Sequence, residues 1–155
     1  MFDADVGDGK AYRESDHFRP GTEIVDAQTS IGHIGLSVCY DVRFASLYRQ
    51  LAKRGAEILT IPAAFTRTSG QAHWHVLQRA RAIETGCFVL ASAQIGTHDD
   101  GRQTYGHSLI INPWGEVLAD AGTLEEGFVM AEIDLSEVAA ARQKIRNLQH
   151  DPDYR

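Results

Sequence analysis

A cysteine stands where the sequence changes from an apolar run into a helical pattern. Residues 33–38 are typical of a buried strand, and Cys39 follows them directly, before Tyr40 and Asp41. A thiol attacks as its thiolate, and the positive end of a helix dipole lowers the pKa of a neighbouring thiol. Cys39 is therefore predicted to be a nucleophile placed at a sharp chain reversal. The alternative is an inert core residue, because free cysteine is among the most buried residue types.

The elements around this cysteine are predicted from hydrophobic periodicity. An apolar stripe with helical spacing follows it, formed by Phe44, Leu47, Tyr48, Leu51 and Ala52. Asp41 is expected to cap this helix and Gly55 to end it. Residues 57–61 predict a buried strand that is closed by a proline. Because ligands gather at the carboxyl ends of neighbouring strands, the loop 63–70 should lie beside the cysteine.

The second half of the chain predicts one long helix and several strands. The helix spans 71–85, with Ser69 as its cap and Gly86 as its stop. Its predicted apolar stripe consists of Ala72, Val76, Ala80 and Ile83. The elements expected after it are a strand at 88–93, a surface loop at 96–106, a hairpin of 108–111 with 116–119, a strand at 127–134 and a short helix near Ser136. Strands that alternate with helices before a hairpin indicate an α/β fold with a mixed sheet.

Composition and charge argue against several classes of function. The 155 residues suit one domain covering 1–155, and no apolar run is long enough for a membrane span. A net charge of −6 disfavours a nucleic-acid partner, which requires clustered Lys and Arg. Two cysteines, Cys39 and Cys87, in a sequence without a visible signal peptide predict reduced thiols and a cytoplasmic location. No cofactor or metal is expected, because His73 and His75 lie two apart on a helix and point to different faces.

Several separated motifs resemble the nitrilase superfamily of carbon–nitrogen hydrolases and occur in the order of that family. They are residues 9–18, 35–44, 62–66, 72–74, 79–84, 106–108 and 112–115. The resemblance implies an α-β-β-α sandwich, truncated at its N-terminus, that assembles as a homodimer or larger homo-oligomer. The motifs between residues 65 and 84 look most like the branch containing deaminated-glutathione amidase and ω-amidase.

The resemblance also implies a catalytic set that this chain holds in part. Cys39 matches the nucleophile, Glu14 is the candidate for an accessory glutamate, and the backbone N–H of Tyr40 is the expected oxyanion donor. A solvated loop carboxylate is the alternative for Glu14. The general-base glutamate and the lysine of the family have no match, since the sequence begins just after the lysine motif. We therefore interpret the chain as the C-terminal portion of an amidase that forms a cysteine thioester and releases ammonia. This portion is expected to be inactive alone.

The branch resemblance implies a small carboxylate-bearing amide as the substrate. The candidates for substrate-binding residues are Phe65, Thr66, Arg67 and Arg43. Phe65 and Thr66 are expected in the pocket wall. One of the two arginines is expected to bind the substrate carboxylate through two hydrogen bonds. Ion pairs with Asp41 or Glu84 are the alternative for the arginines. His107 is expected either to line the site or to be a structural histidine.

A non-catalytic role is the alternative function. The chain would then serve for association or complementation with another chain, and Trp74 is a candidate interface anchor. A thiol-redox role is disfavoured, since no second cysteine stands at Cys-x-x-Cys spacing. The apolar faces of 32–38, 57–61 and 88–93 are expected to be partly uncovered in the isolated chain, which predicts association or aggregation.

Overall fold

The computed structural model describes residues 2–5, 11–123 and 126–150. The strands are β1 (Asp3–Asp5), β2 (Ala11–Arg13), β3 (Asp26–Thr29), β4 (Gly32–Leu36), β5 (Ile58–Thr60), β6 (Phe88–Ala91), β7 (Ile95–Thr97), β8 (Gln103–Tyr105), β9 (Leu109–Ile111) and β10 (Val117–Asp120). The helices are α1 (Ala45–Lys53), α2 (Arg67–Thr85) and α3 (Ser136–Lys144). Short 3₁₀ turns are formed by Glu14–Asp16 and Cys39–Arg43. None of these helices is both long enough and apolar enough to span a bilayer.

A mixed sheet of six strands forms the centre, in the order β10-β9-β6-β5-β4-β3. The strands β4, β5 and β6 run parallel, whereas β3, β9 and β10 are antiparallel to their neighbours. The helices α1 and α2 supply the crossovers that parallel neighbours require. Within the described residues the other strands pair only as two small hairpins, β1 with β2 and β7 with β8. The predicted α/β fold with a mixed sheet is confirmed.

The central strands are apolar on both faces. Adjacent residues of a strand point to opposite sides, so Leu59 packs with Leu51 of α1 while Ile58 packs with Val138 of α3. Gly35 lets α1 approach β4 closely, because a Cβ at that position would lie 3.1 Å from a side-chain atom of Leu51. The face opposite α1 and α2 is covered only in part, and Leu36 is 42% exposed there.

The two central helices begin where local hydrogen bonds place them. The carboxylate of Asp41 accepts from the N–H of Val38 (2.9 Å) and so closes the 3₁₀ turn, whereas α1 starts later, at Ala45. The cap of α2 is Thr66, whose Oγ1 accepts from the N–H of Ser69 (3.3 Å). The predictions that Asp41 caps α1 and that Ser69 caps α2 are therefore wrong, because a nearer donor or acceptor satisfies each side chain.

The buried face of α2 is not the predicted apolar stripe. Val76 is 68% exposed and Ile83 is 48% exposed, whereas Trp74, Gln78 and Arg81 are buried. Periodicity identifies the apolar residues that share one side of a helix, but it does not show which side packs against the rest of the fold. Here the side that carries the indole ring of Trp74 is buried, because this ring removes more apolar area from water than the smaller aliphatic side chains do. Trp74 is thus a core residue, and the expectation that it anchors an interface is wrong.

Two further segments differ from the sequence prediction. The expected surface loop 96–106 contains most of the β7–β8 hairpin, whose register pairs Ile95 with Tyr105. The segment 127–134 forms no strand, and Phe128 and Met130 are each 81% exposed. Alternating apolar residues are typical of a strand, but a strand also needs a neighbouring edge with free backbone groups. Within the described residues, the segment 127–134 pairs with neither edge strand of the central sheet, β3 or β10.

Candidate active site

Cys39 lies at a strained turn beyond the carboxyl end of β4. Its φ is 48°, in the left-handed region that residues with a side chain rarely adopt. Its backbone N–H donates to the carbonyl of Pro62 (2.8 Å), and a 3₁₀ turn begins at the cysteine itself. Such strain costs about 1 kcal/mol or more and clusters at functional sites. The predicted chain reversal is confirmed, although the element that follows directly is a 3₁₀ turn and not an α-helix.

Two backbone N–H groups face the thiol of Cys39. One belongs to Tyr40, the next residue, and the other to Ala64, which follows β5. Ala63 forms a parallel bridge with Ala93, beyond the end of β6. The segments after all three parallel strands therefore meet here, and the prediction that loop 63–70 lies beside the cysteine is confirmed. The role of Ala64 left no signal in the sequence, because any residue can supply a backbone donor.

The pKa of the Cys39 thiol lies above its ordinary value. Burial is the largest cause and raises the pKa, the N–H groups of Ala64 and Tyr40 lower it, and the carboxylates of Glu14 and Asp41 raise it. The expectation of a thiol pKa lowered by a helix is wrong for this structure. A short 3₁₀ turn supplies little dipole, and two negative charges lie close to the sulfur.

The raised pKa predicts slow alkylation of Cys39 at neutral pH. The thiolate fraction grows as pH rises toward the thiol pKa, so the rate with iodoacetamide should still be increasing above about pH 9. Peptide mass spectrometry after timed labelling measures this rate separately for Cys39 and for the fully buried Cys87. The variant Glu14→Gln should move the profile to lower pH, because one repelling charge is removed. A profile that is flat from about pH 7 upward would contradict the raised pKa.

Cys39 opens into two clefts of about 590 Å³ and about 630 Å³. These volumes suit small-molecule sites. Glu14 lines both clefts together with Cys39, and its Oε2 accepts a hydrogen bond from the N–H of Phe2 (2.7 Å). The predicted accessory glutamate is thus placed in the wall of the cleft that the thiol faces.

The family model described as carbon-nitrogen hydrolase matches residues 1–143, almost the whole chain. The chain belongs to the carbon–nitrogen hydrolase family. A deaminated glutathione amidase of Synechocystis sp. is 48% identical over 152 residues, which are 97% of this chain and 56% of the relative. This carbon–nitrogen hydrolase chain spans about half the length of the curated relatives it matches.

Solved structures of the superfamily share the fold. The NitFhit protein of Caenorhabditis elegans is 45% identical and aligns with a TM-score of 0.85 over 97% of this chain and 37% of that chain. A mutant amidase from Nesterenkonia sp. is 28% identical and aligns with a TM-score of 0.65 over 71% of this chain and 41% of that chain. That structure shows the acetamide moiety of fluoroacetamide added covalently at the active-site cysteine. The predicted family and the nitrilase-type fold are confirmed.

The four predicted substrate-binding residues take different positions in this carbon–nitrogen hydrolase. Phe65 and Thr66 line a narrow recess beside the thiol. Arg43 borders the same recess, with its guanidinium 5.3 Å from the ring centroid of Phe65. Arg67 is exposed and donates from Nη1 to Oε1 of Gln103 (3.4 Å). The structure therefore brings three of the four residues to the thiol and leaves Arg67 on the surface.

Another arginine lines the larger cleft and was not among the predicted residues. Arg102 shares that cleft with Cys39 and Glu14, and it forms an ion pair with Asp100 on the β7–β8 hairpin. The sequence offered no signal for it, because the segment carrying Arg102 reads as a polar surface loop. A cation at this position is available to an anionic group in the cleft.

The histidines of α2 point in different directions, as their spacing predicts. Nδ1 of His73 lies 3.4 Å from Nη1 of Arg43. His75 instead lies with His107 and Asp120, where the three side chains offer possible metal-ligand atoms within 4.8 Å of one another. The N–H at Nδ1 of His107 donates to Oδ1 of Asp120 (2.8 Å). His107 thus has a partner outside the cleft walls that Cys39 and Glu14 form.

Proposed function

We propose that Cys39 is the nucleophile of an amidase that hydrolyses the terminal amide of a small carboxylate-bearing molecule such as deaminated glutathione. The observation that carries this proposal is the left-handed turn at Cys39, with two N–H groups facing its sulfur at the mouth of the clefts. The relatives named as deaminated glutathione amidases support the substrate class. The covalent adduct on the cysteine of the Nesterenkonia amidase supports the role of the thiol.

The chemistry is an acyl transfer in two steps. The sulfur of Cys39 attacks the amide carbon while a base takes the thiol proton, and the carbonyl oxygen becomes an oxyanion that accepts from the N–H of Tyr40. The C–N bond then breaks, and the nitrogen leaves as ammonia with the proton returned by the base. A thioester remains. Water attacks the thioester carbon and gives a proton to the same base. The C–S bond breaks, and the base returns the proton to the sulfur, which releases the carboxylic acid and restores the free thiol.

An arginine is proposed to bind the substrate carboxylate. Arg102 lines the larger cleft, and Arg43 borders the recess that contains Phe65. The ion pairs considered as alternatives for Arg43 are taken by other groups, because Asp41 accepts from the N–H of Val38 and Glu84 pairs with Arg81. The guanidinium of Arg43 is therefore available for two parallel hydrogen bonds to a carboxylate, whereas that of Arg102 would bind the substrate in competition with Asp100.

The general base and a lysine are proposed to come from a segment other than the residues described. No lysine is among the described residues that line the two clefts with Cys39. A thiol whose pKa lies above its ordinary value needs a proton acceptor or a nearby cation to react at neutral pH. The isolated 155-residue chain is accordingly proposed to hold the nucleophile of an incomplete site.

The test joins this chain behind the segment of the Synechocystis relative that precedes the matched region. With deaminated glutathione as substrate, this hybrid should release ammonia, and acid quenching during turnover should leave the acyl group on the Cys39 peptide in mass spectrometry. The Cys87→Ala hybrid, matched for the loss of one thiol, should keep both signals, and the Cys39→Ala hybrid should lose both. Ammonia release by a Cys39→Ala hybrid would exclude the proposed nucleophile. A folded hybrid without acyl-enzyme or ammonia would favour the non-catalytic association role.

A further inference from the structure

Three side chains from separate elements converge at a second position. His75 lies on α2, His107 lies two residues before β9, and Asp120 is the last residue of β10. Nε2 of His75 lies 3.1 Å from Oδ2 of Asp120, and Nδ1 of His107 lies 2.8 Å from Oδ1 of the same carboxylate. Their side chains are 20% to 32% exposed, so the group is partly desolvated yet open to solvent.

The backbone holds His107 and Asp120 in place. His107 has a φ of 55°, in the left-handed region. Its N–H donates to the carbonyl of Gly122 (2.8 Å), and its own carbonyl accepts from Nε1 of Trp74 (2.8 Å). The N–H of Gly122 also donates to Oδ1 of Asp120 (2.8 Å). Because a strained conformation persists only where surrounding contacts determine it, the position of this imidazole is fixed before any ligand arrives.

We propose that His75, His107 and Asp120 bind a zinc ion or a chemically similar divalent transition metal, with water as the fourth ligand. Two imidazoles and one carboxylate form a common three-residue ligand set for zinc. Ligand atoms about 2.0–2.2 Å from a tetrahedral zinc ion lie about 3.3 Å from one another. Nε2 of His75 and Nδ1 of His107 lie 3.1 Å and 2.9 Å from the same oxygen of Asp120, Oδ2, which is close to that value. All three ligand atoms lie within 4.8 Å of one another, so side-chain rotations that bring the two imidazoles together admit the ion.

The ligand types select the class of metal. Magnesium and calcium prefer oxygen ligands, and this group offers nitrogen at two of its three positions. The group contributes none of the residues that line the two clefts beside Cys39. The ion is therefore a structural link between α2 and the β9–β10 hairpin, and its binding is independent of the proposed amidase chemistry.

The experiment titrates zinc chloride into the full chain by calorimetry, in a Cys39→Ser background that removes the accessible thiol. One equivalent should bind, and thermal unfolding should shift to higher temperature with zinc but not with magnesium. The variants His107→Gln and Asp120→Asn should each weaken binding about 10-fold or more. The variant His73→Gln, two residues from His75 on the same helix, should bind as the background does.

Asp120→Asn keeps an oxygen that accepts from Gly122, so this variant provides the folded test if His107→Gln does not fold. Tetrahedral cobalt spectra supply a second readout, because the absorption band reports the ligands directly. Zinc affinity that is unchanged in Asp120→Asn would overturn the proposal. So would the absence of saturable zinc binding below about 100 µM in the Cys39→Ser background.

Discussion

Replacing Trp74 by alanine is expected to remove about 3–5 kcal/mol of the free energy of unfolding. The indole is fully buried, and its ring packs against Phe65 with 4.8 Å between the centroids. Its Nε1 donates to the partly buried carbonyl of His107 (2.8 Å), and leaving this carbonyl unpaired adds to the cost. Domains are typically stable by only about 5–15 kcal/mol, so this change removes a large part of the total. Urea unfolding followed by circular dichroism measures the loss.

Trp114→Ala is the matched control for the indole itself. Trp114 is 56% exposed in the β9–β10 turn, with Nζ of Lys144 5.3 Å from its ring centroid. An exposed cation–π pair contributes about 0.5–1 kcal/mol, so its loss should be small. Equal midpoints for Trp74→Ala and Trp114→Ala would show that the buried indole does not anchor the core as described.

The sequence predicted where the helices and strands lie along the chain better than it predicted which elements pack against one another. Apolar spacing predicted α1. The glycine at position 86 predicted the end of α2, and Gly86 has the left-handed φ of 60° that ends a helix. The same spacing chose Val76 and Ile83 as the buried face of α2, although both are exposed. A helix with apolar residues on two faces presents either one to the sheet, and tertiary contacts of Trp74 decide between them. Such contacts join positions far apart in sequence and have no periodicity.

For the candidate site, the sequence predicted the place of the thiol but not its electrostatics. A strand followed by Cys39 was enough to predict the reversal and the loop beside it. The sign of the pKa shift depends on Glu14, 25 residues upstream, and on the depth of burial, which are properties of the assembled fold. The cluster of His75, His107 and Asp120 could not be predicted from the sequence either, because His75 and Asp120 are 45 residues apart along the chain.

Arg81→Met is expected to destabilise the chain by about 3 kcal/mol, because the partly buried carboxylate of Glu84 loses the guanidinium that donates to it and keeps the more weakly acting Arg49 as a nearby cation. Arg81 is buried, and its Nη1 donates to Oε1 of Glu84 (2.8 Å). Its Nε donates to the carbonyl of Val42 (2.8 Å), within the 3₁₀ turn that starts at Cys39. Methionine fills the space but supplies neither hydrogen bond. The turn that holds the thiol should therefore loosen, and the alkylation rate of Cys39 should rise together with the loss of stability.

Arg79→Met serves as the control on the same helix. Arg79 is exposed, and its Nε donates to the carbonyl of Gly115 (2.7 Å), outside the Cys39 turn. Loss of one such hydrogen bond should cost about 1 kcal/mol and leave the alkylation rate of Cys39 unchanged. If Arg79→Met and Arg81→Met had the same effect on both quantities, the contact with Val42 would have no special role.

The pH dependence of the Arg81→Met deficit separates charge from packing. Burial is the largest influence on the pKa of Glu84 and raises it, while Arg81 lowers it, and the net pKa lies above the ordinary value. Without Arg81 the folded-state pKa rises further, so the folded state favours the protonated carboxyl. The deficit should be smallest near pH 4, where protonation of the carboxyl leaves mainly the part due to the lost hydrogen bond to Val42, and should grow as pH rises through the folded-state pKa to about pH 8. The double variant Arg81→Met/Glu84→Gln should recover stability at about pH 8 and lose this pH dependence, whereas a deficit independent of pH in the single variant would assign the effect to packing alone.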